Sequence, residues 1–355
     1  MSTLPIRRQR ARVGAWVVLL VVTLVVLLGA RAVGLPSPEI LAGMVGGIAL
    51  ALSGRGPRAV PAAGNVVAQA AIGVMLGSMV SSNELRALAH DWAAVLAVTV
   101  LTLAISFGSG FLLALHPAVD RVTGVLSMAA GGASGLVAVA QELGGDVRVV
   151  GMLQYARVLL ITAATPMVAA YVFGAASSPP VPATQDPALG ALVGLGCMVV
   201  GAPLARLARV PAGDLLGPMI VAAAVGIQGG LPTPSLPLLV STAAYVVIGW
   251  TATLGFTRGA ISMVARILPL AFGLVVVLVL ASAASGLWLA RLLGLPAMDG
   301  YLATTPGGMF AVLAVAAGAG SNITVITGVQ AVRLFMMLAL TPVLTGWLRR
   351  RARQP

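Results

Sequence analysis

Long apolar runs with short polar punctuation dominate this chain. Val13–Val33 (VGAWVVLLVVTLVVLLGARAV) and Asp91–Leu115 (DWAAVLAVTVLTLAISFGSGFLLAL) are each long enough to cross the roughly 30 Å hydrocarbon core of a bilayer as a helix. Six such segments fall in the first half, near 13–33, 37–54, 60–81, 92–115, 119–144 and 148–173. Six more follow near 188–208, 212–230, 236–257, 266–292, 298–319 and 323–348. The pattern predicts an all-α, polytopic helical membrane protein with about 10–12 membrane segments, its lipid-facing surface supplied by these runs.

Composition narrows this further. Only 8% of the 355 residues are charged and 59% are hydrophobic, with a mean hydropathy of +1.04. Soluble domains carry about 25% charged residues, so this surface could not face water throughout. The formal net charge of +12 comes from arginine alone, clustered at the two ends as RRQRAR (Arg7–Arg12) and RRRAR (Arg349–Arg353) and otherwise largely in short loops. That distribution marks cytoplasmic ends of membrane helices. No aromatic-interleaved basic patch accompanies it, so no nucleic-acid partner is expected. One cysteine and two histidines exclude a disulfide framework and leave no basis for a metal or other cofactor. The basic, apolar N-terminus ending in Ala30–Ala32 could pass for a signal peptide. An internal counterpart makes a retained first span the better reading.

That counterpart belongs to a duplication. Gly131–Pro166 aligns without gaps on Gly307–Pro342 at an offset of 176, with twelve of 36 positions identical. Upstream, Leu35–Met44 resembles Val210–Met219, with Glu39 matched to Asp214. Residues 1–173 form one membrane repeat, 188–355 a second, and 174–187 a polar linker. Arginine placement favours an inverted pair. If one segment per repeat is re-entrant, 16 arginines lie inside and three outside; if all twelve cross, the split is 12 to seven. The glycine-rich fifth segment is the natural re-entrant candidate, although the vote fixes parity only.

Candidate chemistry gathers in the aligned stretches. Gly131, Gly132 and Gly135 interrupt one fifth segment, and Pro306-Gly307-Gly308 its twin. Glycine frees φ and proline removes an N–H, so each segment is expected to break into half-helices. Unwound backbone cannot face lipid and must pack within protein or line a cavity. Paired breaks in two repeats point to a solute site. Arg157 follows Arg148 by nine residues, about 14 Å along a helix, which places it near mid-bilayer. Arg333 takes the same depth. Gln154 shares a face with Arg157, and Gln330 with Arg333. Each pair either binds an anionic or polar ligand or ties down carbonyls freed by the break. Ser134, Thr304 and Thr305 could donate to a ligand or satisfy nearby backbone. Glu142 and Asp146, with Asn322 as neutral counterpart, are the candidates for ion coupling. No nucleophile–base pair or phosphate loop suggests an enzyme.

The recurring signature, a GG pair, a small apolar run, G-x-[DN] and then Q-x-x-R ending at T-P, resembles the AbrB family of bacterial polytopic membrane proteins across essentially the whole chain. The resemblance implies a duplicated membrane unit, and family labels mention gene regulation or an ammonia monooxygenase. Members often carry an acidic residue shortly after the GG pair, where Gly135 and Ala311 stand here. Two histidines and one cysteine are too few for a copper oxygenase. The leading expectation is a secondary transporter for a small polar or anionic solute in the bacterial inner membrane, with both termini cytoplasmic. The alternative is a membrane-embedded regulator or sensor acting through a partner, with a monooxygenase-like protein third. The lipid bilayer is the expected partner beside the solute, and a homo-oligomer is compatible with the reading.

Overall fold

The computed structural model describes residues 4–33, 35, 37–54, 56–130, 136, 140, 143–175, 187–210, 212–256 and 266–352. Among these, all extended elements are α-helices. In chain order they are α1 (Leu4–Ala32), α2 (Pro38–Ser53), α3 (Ala62–Gly77), α4 (Ser82–His90), α5 (Trp92–Leu113), α6 (Arg121–Met128) and α7 (Val147–Tyr171). Then come α8 (Pro187–Leu207), α9 (Gly213–Gln228), α10 (Leu238–Thr253), α11 (Leu268–Leu293), α12 (Ala297–Thr304), α13 (Met309–Gly318) and α14 (Ile323–Ala352).

Among the described residues, five helices are long and apolar enough to cross a membrane: Val13–Ala32 of α1, then α5, α7, α8 and α11. Their outer faces carry large apolar side chains with nothing packed over them, such as Leu24, Val25 and Leu28 on α1 and Leu192, Val199 and Leu204 on α8. A soluble protein would not tolerate so much exposed apolar surface, whereas lipid matches it. The chain is a multi-pass membrane protein.

The duplication is visible in local geometry. Ser37 and Ala212, equivalent positions, both begin helices with positive φ (48° and 52°), and Gly54 and Gly229 end them in the left-handed region. Pro61 and Pro237 precede α3 and α10 with the same extended backbone. Arg31 pairs with Glu39 at 2.6 Å, and Arg206 with Asp214 at 2.7 Å. Exposed pairs of this kind contribute about 0–1 kcal/mol in water, so they mark equivalence more than stability.

Two compact units divide the chain, and each draws on both repeats. The first contains α1–α3 and α8–α10. Here α2 packs on α10 and α3 on α9, while α1 contacts α2 and α8 contacts α9. Glycine makes the crossings possible. A side chain at Gly249 would collide with the carbonyl of Ile40 and the amide of Met44; one at Gly73 would meet the equivalent Leu215 carbonyl and Met219 amide. Leu19, Leu50, Val246, Trp250 and Leu254 form one apolar cluster within this unit. The Trp250 indole N–H donates to Thr23 Oγ1 at 3.0 Å, as a buried indole requires.

The second unit contains α4–α7, α11, α12, α13 up to Ala316, and α14. Its contacts also come in equivalent pairs: α5 with α6 and α11 with α12, α6 with α7 and α12 with α14, and α5 with α11. Gly110 lies against Gly124, and Gly286 against Gly300, each pair close enough to exclude any side chain. Repeat and compact unit are thus different divisions of one chain, and 176–186 of the linker lie outside the described residues.

Candidate functional site

The second unit holds two short helices that stop where hydrocarbon-embedded helices ordinarily continue. α6 ends at Met128, and Ala129 leaves the helical region at φ −57°, ψ 125°. α12 ends at Thr304, and Thr305 does so at φ −51°, ψ 124°. After Thr305 the backbone passes through Gly307 (φ 148°) and Gly308 (φ 65°) before α13 begins at Met309. Both glycines hold positive φ, a conformation that L side chains rarely adopt. In the other repeat, Gly131, Gly132, Ser134, Gly135 and Glu142 lie outside the described residues.

A helix that stops leaves its final carbonyls without intrahelical donors. Two buried Gln-Arg pairs supply the donors. Gln154 Nε2 donates to the carbonyls of Leu126 (2.7 Å) and Ala129 (3.0 Å). Arg157 Nη1 donates to Met128 (2.8 Å) and Ala129 (2.9 Å), and its Nη2 to Gln154 Oε1 (2.7 Å). In the second repeat, Gln330 Nε2 donates to Leu302 (2.9 Å), and Arg333 Nη1 to Thr304 (3.2 Å) and Thr305 (2.8 Å). The arginines are 3% and 6% exposed. Charge at such depth costs several kcal/mol, and hydrogen bonds from a charged donor return about 1.5–3 kcal/mol each. Neither guanidinium has a carboxylate within ion-pair distance among the described residues.

Other candidate residues occupy structural posts around this arrangement. Thr304 Oγ1 donates to the Ser282 carbonyl on α11 at 2.7 Å, and Thr305 Oγ1 to the Tyr301 carbonyl at 2.7 Å. Asp146 caps α7, its Oδ1 accepting from the amides of Arg148 (2.9 Å) and Val149 (3.2 Å). Asn322 caps α14, its Oδ1 accepting from Val325 N at 3.0 Å. Both caps also tie to the short helix before the break. Asp146 N donates to Thr123 Oγ1 (2.8 Å), and Asn322 N to Asp299 Oδ2 (3.3 Å). Asn322 further lines a cleft of about 290 Å³ with Asn83, Asp91, Leu293, Leu295 and Val325.

Sequence reasoning missed several of these posts. Thr123, Asp299, Ser106 and Ser282 escaped notice, although the 176-residue offset pairs them and could have found them. The chemistry is exchanged between repeats: Ser106 Oγ donates to the Met128 carbonyl at 2.6 Å, whereas Ser282 accepts from Thr304. Thr162, buried on α7 beside the Gly308 turn, was also missed, and its repeat equivalent, Leu338, gives no signal.

These features define the class: an all-α, multi-pass membrane protein built on an internal repeat, with arginines buried at helix ends. Residues 48–349 match the AbrB family, described as "Transition state regulatory protein AbrB", and the chain belongs to that family. It is 33% identical over 343 residues to "Putative regulator AbrB" of Escherichia coli strain K12, covering 94% of this chain and 96% of that protein. It is 26% identical over 290 residues to "Uncharacterized protein YhjN" of Bacillus subtilis strain 168, covering 77% and 76%. Neither relative is named as an enzyme. Among the described residues, no group of three or more His, Cys, Asp or Glu side chains could hold a metal ion.

Proposed function

We propose that this chain is a membrane-embedded regulator whose second unit responds to a small polar or anionic solute. The observation that carries the reading is the pair of buried guanidinium groups at helix ends, with no carboxylate to neutralise them among the described residues. Such a centre attracts anions, and its hydrogen bonds to freed carbonyls couple a bound charge to backbone geometry. The name of the E. coli relative supports the regulatory output. The test compares transcript profiles of a deletion strain complemented with the wild-type chain or with Thr162→Val. The expected outcome is a solute-dependent transcript set lost on deletion; profiles identical to wild type on deletion would end the reading.

Secondary transport is the second reading, favoured by one observation: α12 and α13 are separated by a glycine break at a position equivalent to the end of α6. In this view each repeat, 1–173 and 188–355, has five crossings and one interrupted, non-crossing segment. The repeats are then inverted in a bacterial inner membrane, with both termini cytoplasmic. Uptake of labelled solutes into proteoliposomes tests transport. Inversion has its own test, because Cys197 is the sole cysteine and is buried. On a Cys197→Ala background, a cysteine replacing Glu39 should react with an impermeant thiol reagent from outside, and one replacing Asp214 only from inside. Labelling of both from one side would remove the inverted arrangement.

A further inference from the structure

The arginine-capped carbonyls account for only part of Arg157. Its Nη1 and Nη2 are committed, yet its Nε is buried without a hydrogen-bond partner. Five residues along α7, Thr162 is 1% exposed and its hydroxyl is likewise unpartnered. Buried donors left unmade cost about 1–3 kcal/mol each and call for an explanation. Both point at the same turn of backbone. A side chain at Gly307 would stand 3.4 Å from Arg157 Nε, and one at Gly308 would stand 2.9 Å from Thr162 Oγ1.

That turn opens α13. The first helical hydrogen bond there runs from Val312 N to the Gly308 carbonyl at 2.9 Å. The amides of Met309, Phe310 and Ala311 therefore precede any intrahelical acceptor, and the helix dipole adds partial positive charge. Backbone donors, a guanidinium edge and a hydroxyl converge where two glycines present no side chain of their own, beside the Ile161 side chain. Every element of this set favours negative charge, and helix N-termini are ready-made anion sites.

We infer that the Gly307–Gly308 turn, with Arg157 Nε, the Thr162 hydroxyl and the first amides of α13, binds the carboxylate group of a small solute. A carboxylate brings two acceptor oxygens, which suits one N–H and one O–H beside a row of amides. The assignment deepens the regulator reading and rests on it for its biological meaning, but its binding test stands apart from transcription. It also gives the two glycines a purpose beyond close packing.

The experiment is thermal unfolding of the purified full-length protein in detergent, followed by a thiol-reactive dye that reports exposure of buried Cys197. Sodium acetate is titrated against sodium chloride at matched ionic strength. Acetate should raise the unfolding temperature saturably and chloride should not. Thr162→Val should weaken the apparent acetate affinity at least tenfold while leaving the acetate-free unfolding temperature no lower than wild type, because no existing bond is lost. Arg157→Lys should abolish the response if it folds, and Thr162→Val keeps the test decisive if it does not. Equal effects of acetate and chloride, no saturable acetate effect, or a Thr162→Val titration matching wild type would each overturn the site. An unchanged transcript profile with acetate binding intact would instead remove the regulator reading and leave the site standing.

Discussion

Arg157 and Arg333 are the same device at a 176-residue offset, yet they are not equally engaged. Arg157 makes three hydrogen bonds, one of them to Gln154, whose amide captures one further carbonyl, Leu126, and shares that of Ala129. Arg333 makes two, and Gln330 captures one carbonyl while its Oε1 is buried without a partner. The first repeat satisfies its glutamine fully and leaves only a donor, Arg157 Nε, open; the second leaves acceptor capacity unused. A duplicated motif can therefore keep its geometry while its energetics drift, and residue identity alone does not reveal which copy matters more.

The largest expected effect is from Arg157→Ala. It removes three hydrogen bonds from a charged donor, leaves the Met128 and Ala129 carbonyls to Ser106 and Gln154 alone and leaves Gln154 Oε1 unpaired, at a cost of more than about 3 kcal/mol. The expected outcome is a sharp loss of unfolding temperature or of folded yield in detergent. Arg333→Ala should cost less, about 2–3 kcal/mol, because two bonds are lost. A greater loss at Arg333 than at Arg157 would break the comparison. Gln154→Leu should destabilise by about 2 kcal/mol. Gln330→Leu should cost about 1 kcal/mol or less, since it removes one bond together with one orphaned oxygen. The smallest effect belongs to the helix caps. Asp146→Ala and Asn322→Ala should each cost about 1 kcal/mol, measured by the same unfolding assay.

Much of this was legible in the primary structure, and what was not has a physical reason. Apolar length announced the membrane helices, and the 176-residue offset announced the repeat, because both are linear properties of the chain. The shared face of Gln154 and Arg157 followed from helical spacing, and their role as carbonyl donors was one of two readings weighed. The carbonyl contacts themselves depend on where Met128 and Ala129 lie, 29 and 28 residues upstream of Arg157. Asp146 read as a coupling candidate, with Asn322 as its neutral counterpart, because a carboxylate beside a membrane helix looks the same in sequence whether it caps or titrates. In the structure both serve as caps, whatever else they do. Thr162 was invisible because its relevance comes from a glycine turn 145 positions later, and its repeat partner is leucine.

The interleaving of the two repeats bears on biogenesis. α2 packs against α10, and α3 against α9, so the earlier member of each pair leaves the ribosome long before its mate is made. Glycine faces such as Gly73 must wait in the translocon or in lipid until Leu215 and Met219 arrive to cover them. In the first unit these glycine faces are covered only by helices of the other repeat, which makes late assembly, and the protection of early helices from wrong neighbours, a built-in demand of this chain.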